Sequence, residues 1–223
     1  MKKRILFFLL FGYTIVFGQI GISIDGGGFF PVGEFSKTYK QLGYGGEFTF
    51  DFINTSSMSL GILAGYQYYE ADEEALKNML LDELNSSLKN NADSYIDLSL
   101  EAPLKIYPLV LSAKYFIKGR KWKPFFFFEA GLFFYDLRLN GTLRIGNDIY
   151  PLEEQIEKRN STMLALGFGT KYKITRKFYL TGKFKWSIFN NVSKLEADKD
   201  EKIKSINKTV QTLGLVVGVN YLF

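Results

Sequence analysis

The chain has 223 residues, a formal charge of +5, and aromatic side chains at 17% of its positions, with 22 Phe and 14 Tyr. It contains no His and no Cys. That removes the usual general base, the commonest metal ligand, the thiolate nucleophile and any disulfide framework.

Lys2, Lys3 and Arg4 precede an apolar run of thirteen residues, Ile5 to Phe17. A bilayer-spanning helix needs about 20 apolar residues, so the run is too short to be one. A charged start, a short apolar stretch and the small-residue pair Val16 and Gly18 fit a secretory signal cut before Gln19. The expectation is a signal peptide over 1–18 and a single exported domain over 19–223. Without a Cys at the cut, no lipid anchor is expected. The three charges of the signal leave with it, so the exported part is near +2 and its charge does not point to nucleic acid.

From Gln19 onward the chain alternates with a period of two, the side-chain period of a strand. Ile20, Ile22 and Ile24 alternate with Gly21, Ser23 and Asp25. Phe48, Phe50 and Phe52 alternate with Glu47, Thr49 and Asp51. Similar runs occur at 58–68, 109–115, 126–134, 164–171 and 178–188. The last strand carries Leu213, Leu215, Val217, Val219, Tyr221 and Phe223 on one face, with mostly small or polar residues on the other. That makes eight strands. The expected fold is all-β, an eight-stranded antiparallel up-and-down transmembrane β-barrel, apolar outside and polar inside.

A soluble sandwich also alternates, but two features oppose it. One face carries Asp25, Glu47, Asp51, Lys114, Glu129, Lys171, Lys183 and Lys185, which a sandwich core would not hold, while the other is Phe-rich. The connections also alternate in length. Those at 54–57, 118–123 and 175–177 are short; those at 31–41, 71–93, 140–161 and 191–207 are long. Short periplasmic turns and long outer loops characterise outer-membrane barrels. The fourth strand is ambiguous. Its apolar residues sit at even positions up to Ala102 and at odd positions after Pro108. Either a bulge at 103–108 flips the faces, or 95–107 projects above the membrane as part of the second hairpin.

In the second outer loop, Asp72, Glu73 and Glu74 suit a helix N-terminus. Leu76, Leu80, Leu84 and Leu88 then recur every fourth residue as one apolar stripe, so a short helix is expected there. The stripe suits either a partner-binding helix or a lid on neighbouring loops. The inward charges likewise have two readings: a path for ions gated by exchanging salt bridges, or a structural plug. Eight strands leave an interior that side chains just fill, which favours the plug.

The stretches Gly26-Gly-Gly-Phe-Phe-Pro-Val-Gly-Glu-Phe-Ser36 and Gly43-Tyr-Gly-Gly-Glu-Phe48 resemble the first hairpin of small bacterial outer-membrane β-barrel proteins. So do Lys123-Pro-Phe-Phe-Phe-Phe-Glu-Ala-Gly131 and the closing Val219-Asn-Tyr-Leu-Phe223. The chain is similar in this way to the OmpA-like barrel group, including the PorT-like proteins. The resemblance implies residence in the bacterial outer membrane, amid its lipid and lipopolysaccharide. It also implies that Tyr221 and Phe223 are read by the outer-membrane assembly machinery. Members serve as structural barrels, adhesins, narrow pores or secretion accessories. The expected function is therefore a non-enzymatic barrel with a structural or binding role, its long outer loops meeting an unidentified protein or surface ligand. A narrow small-solute channel and an accessory barrel of a secretion system are the alternatives. No catalytic residue, metal site or cofactor is expected.

Overall fold

The structure, a computed structural model, describes residues 19–39, 41–75, 96–145, 148–197 and 203–223. The expected signal segment and the stripe of Leu76, Leu80, Leu84 and Leu88 lie outside these residues. The elements are β1 (Gly21–Val32), α1 (Phe35–Thr38), β2 (Gly43–Asn54), β3 (Met58–Tyr69), β4 (Ile96–Glu101), β5 (Leu104–Phe116), β6 (Trp122–Ile145), β7 (Asp148–Lys173), β8 (Phe178–Ala197) and β9 (Ile203–Leu222).

Eight strands close into a ring in the order β1-β2-β3-β5-β6-β7-β8-β9, every pairing antiparallel, with β9 returning to β1. This is the expected up-and-down barrel. Closure joins the two ends of the barrel sequence. Gly21 faces Leu222, Asp25 faces Gly218, and the Phe223 N–H donates to the Ile20 carbonyl at 3.0 Å. A closed ring leaves no free strand edge in the spanning region, the condition that lipid imposes on strands.

The alternation of the sequence sets the two walls. Ile24, Phe48, Ile62, Leu111, Phe126, Leu166, Phe184 and Val217 all point outward and are exposed. A soluble protein does not leave such a belt in water, because burying it is worth roughly 25 cal/mol per Å². Aromatic side chains edge the belt at both ends. Trp122 packs on Tyr172, and Phe178 and Phe223 both pack on Tyr221, at the end bearing the short turns. Tyr44 packs on Tyr68, and Tyr66 on Tyr107, at the other end. Such girdles flank the apolar band of outer-membrane barrels. The end with the short turns is termed inner below, the opposite end outer.

Two of the inner turns share one device. Thr55 Oγ1 accepts from the Met58 N–H at 3.0 Å, and Thr175 Oγ1 accepts from the Phe178 N–H at 3.0 Å. A threonine hydroxyl that binds the backbone three residues on closes a tight turn. At the outer end, Gly33 takes a φ of 67° between β1 and α1, a conformation glycine adopts without penalty.

The structure corrects two expectations. The fourth strand does not flip its faces. Leu104, Ile106, Val110, Ser112 and Lys114 are all buried, so one parity points inward along the whole of β5. The apolar parity changes because the outer half of the lumen is itself apolar. Segment 96–101 extends this strand in unchanged register: Leu104 faces Leu137 on β6, and Ile96 faces Ile145 further along. It projects beyond the barrel ring and pairs with β6. The second correction concerns 140–161 and 191–207, expected as loops. Most of both stretches is strand, belonging to the projecting β6–β7 and β8–β9 hairpins. Each hairpin slips register as it leaves the ring, between Leu139 and Gly141 in one and between Phe189 and Val192 in the other. Such bulges bend a strand away from its sheet.

In the second outer connection, residues 73–75 form a helical turn, and Asp72 Oδ1 accepts from the Ala75 N–H at 2.8 Å. The first outer connection holds a helix that the sequence did not signal, α1.

Candidate functional site

The lumen is stratified. Its outer half is an apolar core built around Phe29, Leu63, Ile106, Phe133, Met163, Phe189 and Val216, all fully buried. Phe35 of α1 and Tyr39 just after it close the top against Tyr69, with ring centroids 4.7 and 5.3 Å apart for Phe35–Tyr39 and Phe35–Tyr69. The Tyr39 hydroxyl donates to the Ala102 carbonyl at 3.1 Å. Burial pushes this phenol above its ordinary range, so it stays a proton donor in alkaline solution.

Inward glycines make room for the aromatic core. A β-carbon at Gly214 would lie 2.9 Å from the Phe29 ring, and one at Gly45 would lie 3.1 Å from the same ring. Phe29 therefore occupies the space left by glycines on β2 and β9, the two strands that flank its own.

Below the apolar layer lie all eight of the expected inward ionic residues, and all eight are buried. Lys183 Nζ, on β8, donates to Asp25 Oδ2 of β1 at 2.9 Å and to Glu47 Oε2 of β2 at 3.0 Å. Lys185 Nζ, two residues on, donates to Glu47 Oε1 at 2.5 Å and lies 2.6 Å from Glu129 Oε2 of β6. Thr181 Oγ1 donates to Asp25 Oδ1 at 2.6 Å. One chain of contacts thus crosses the barrel from β1 to β6: Asp25, Lys183, Glu47, Lys185, Glu129. Lower down, Lys114 Nζ reaches both oxygens of Asp51, at 2.9 and 3.2 Å.

Lys171 differs from the other three lysines. It makes no ion pair among the described residues, and its partners are Asn220 Oδ1 at 3.2 Å and the Phe116 ring, whose centroid is 4.8 Å away. The sequence pattern put Thr181 and Asn220 on the inward wall, but it did not mark them as partners of the charges. Beside Lys114 and Lys171, Phe116, Phe125 and Phe127 form a second, smaller buried cluster on the β5–β6 wall.

The arrangement fills the middle of the lumen with buried, mostly paired charge. Buried charges are tolerated when each finds a partner; the four carboxylates match the four ammonium groups in number, and three of the lysines are ion-paired, Lys171 being the exception. Removing one partner leaves an uncompensated charge, which is strongly destabilising, whereas the intact pairs add little net stability. The network ties opposite walls together at one relative height. Tyr221 and Phe223 lie apart from it, on the outward inner rim, where their rings meet edge to face at 5.0 Å.

No family model matches the chain, and no curated protein matches it. Solved structures do. A major outer membrane protein from Thermus thermophilus superposes with a TM-score of 0.50 at 16% identity, covering 92% of this chain and 99% of that one. Neisserial surface protein A gives a TM-score of 0.48 at 12% identity, over 92% and 97% of the two chains. The outer membrane protein OprG from Pseudomonas aeruginosa gives 0.47 at 12%, over 93% and 96%. At the identity of the Thermus protein the likeness speaks for the fold alone, which is that of an outer-membrane β-barrel.

Proposed function

We propose that this outer-membrane barrel is a non-enzymatic, non-conducting scaffold that presents its projecting hairpins and outer rim for binding. The observation that carries the reading is the sealed lumen. Phe29, Leu63, Phe133, Met163 and Val216 fill its section above an ion-paired layer, with no exposed surface on any of them. Hydrated ions do not cross an apolar layer of this kind. That favours the scaffold over a small-solute channel.

The outer surface offers what the lumen lacks. An open recess of about 520 Å³ lies at the outer edge of the belt, lined by Tyr107, Phe134, Asp136, Lys158, Arg159 and Asn160 among others; Lys158 lies 3.7 Å from Asp136 and Arg159 2.7 Å from Glu157, yet both cations stay half-exposed or more. Aromatic groups at the lipid level with cations just beyond them suit an amphiphile with an anionic headgroup, the chemistry of lipopolysaccharide in the outer leaflet. The hairpins beyond the recess would then meet a protein or another surface ligand. The absence of His and Cys from the chain supports a binding role over a hydrolytic one.

Planar-bilayer recording of the purified full chain tests the sealed lumen. No discrete conductance steps are expected, and reproducible steps would return the channel to first place. Rim binding is tested by co-purification. Lys158→Ala with Arg159→Ala should reduce the lipopolysaccharide retained after detergent exchange. Equal retention would remove the rim from the reading.

A further inference from the structure

The inner mouth of the barrel gathers cationic and amide donors without an acid. Lys123 and Lys171 sit directly opposite each other on β6 and β7, both on the inward wall. Like charges in that relation destabilise a sheet. Lys171 is only 4% exposed, yet no carboxylate lies within ion-pair distance of it among the described residues. Asp51 is held by Lys114 through both oxygens. Asn54 Nδ2 is buried and donates to no protein acceptor. Asn220 Nδ2 is already spent on the Ile22 carbonyl and Ser23 Oγ, at 3.2 and 2.9 Å.

Lys123, Lys171 and Asn54 line one indentation, together with Phe116, Tyr179 and Asn220. Its volume is about 20 Å³. A cavity of that order holds a particle the size of one water molecule. The charge distribution of the lumen shows what kind of particle would be stabilised. The chain Asp25, Lys183, Glu47, Lys185, Glu129 contains three carboxylates and two ammonium groups. The negative charge that formally balances Lys171 is therefore placed in the middle of the barrel, in contact with other lysines. Beside Lys171 stand neutral groups and a second lysine.

We propose that this indentation is a binding site for one small monovalent anion of about chloride size, held by the ammonium groups of Lys171 and Lys123 and by the Asn54 side-chain amide. Sulfate and phosphate are too large for it. The inference goes beyond the scaffold reading and does not depend on it, because it concerns the inner mouth and not the outer rim.

The test is thermal unfolding of the detergent-purified full chain in chloride and in gluconate at one fixed ionic strength. A ligand that binds only the folded state raises the midpoint as its concentration rises above its dissociation constant. Chloride should raise Tm by several degrees in a saturable way, and sulfate should not. Lys171→Met should abolish the chloride response and raise Tm in gluconate, since it removes the uncompensated charge. Lys123→Gln should shift half-saturation to higher chloride. Lys177→Gln, at an exposed lysine of the adjacent turn, should respond as the parent does. Equal midpoints in the two salts would overturn the proposal, as would a chloride response that survives Lys171→Met. If Lys171→Met fails to fold, crystals of the parent grown in bromide decide the matter. An anomalous peak beside Lys171 supports the site, and no peak there overturns it.

Discussion

Lys185 of β8 lies 2.5 Å from Glu47 of β2, although three strand boundaries separate them around the wall. The contact runs through the lumen and is completely buried. It makes Glu47 the keystone of the charge chain, because the same carboxylate also receives Lys183.

Glu47→Gln should therefore be the most damaging single neutralisation in the lumen. It weakens the pairing of two buried lysines at once, at a cost of about 3–5 kcal/mol where both stay desolvated. Glu129→Gln, which touches one lysine, should cost less. Thermal unfolding in detergent, with heat-modifiable gel mobility as a check on folding, ranks the two. Equal stability of both variants and the parent would show that water reaches the lysines.

The Asp51–Lys114 contact stands apart from that chain and suits a double-mutant cycle. Asp51→Asn alone should destabilise, since Lys114 keeps its charge and loses its acid. Asp51→Asn with Lys114→Met should recover most of the loss, because an apolar replacement of a buried pair is often neutral or better. Chemical unfolding of the four proteins measures the coupling. A double variant no better than Asp51→Asn would contradict it.

Phe29 should tolerate change at neither itself nor its glycine neighbours. Phe29→Ala opens a cavity and should cost about 3–5 kcal/mol. Gly214→Val brings side-chain atoms onto the ring and should cost about 1–3 kcal/mol. Phe29→Ala combined with Gly214→Val should lose less than the sum of the two. Urea unfolding reads all three, and strict additivity would mean that the ring and the glycine do not share space.

At the inner rim, Phe223 is outward and packs against Tyr221 while its N–H closes the barrel. Phe223→Lys puts a charge into the aromatic girdle, where the cost near the interface is modest, about 0–1 kcal/mol. Stability in detergent should therefore hardly change. The level of folded protein in the outer membrane should fall by much more if the aromatic group is recognised during assembly. Quantitative membrane fractionation separates the two effects, and parallel small losses in both would leave the residue with packing alone.

The sequence made the walls legible because a strand has only two faces. Parity alone puts Asp25, Glu47 and Lys185 inside and Ile24, Phe48 and Trp186 on the other register. Parity carries no information about which inward groups meet. Lys183 reaches Asp25 across β9 and Glu47 across β9 and β1, distances fixed by how the ring closes. The apolar outer core was hidden for a related reason. Leu104 and Ile106 fall in the stretch left to a bulge or to a segment above the membrane, because an apolar lumen layer was not anticipated, whereas they cover the ionic layer from above. The projecting hairpins escaped notice because stretches such as Glu153–Asn160 carry charge at both parities and so show no alternation. The helix α1 is four residues long, too short to leave a periodic pattern.

The seam between β1 and β9 also orders events in time. Gly21 and Leu222 come from opposite ends of the described chain, and every other pairing in the ring is between strands much nearer in sequence. Each hairpin can zip locally, but the seam requires the longest loop to close and is entropically the last to be rewarded. Until it forms, the protein is an open sheet with two bare edges, one rich in glycine over 26–28 and the other rich in valine over 216–219. Exposed edges of that kind pair readily with other chains. The interval before β9 pairs with β1 is thus the period in which this protein is most exposed to aggregation.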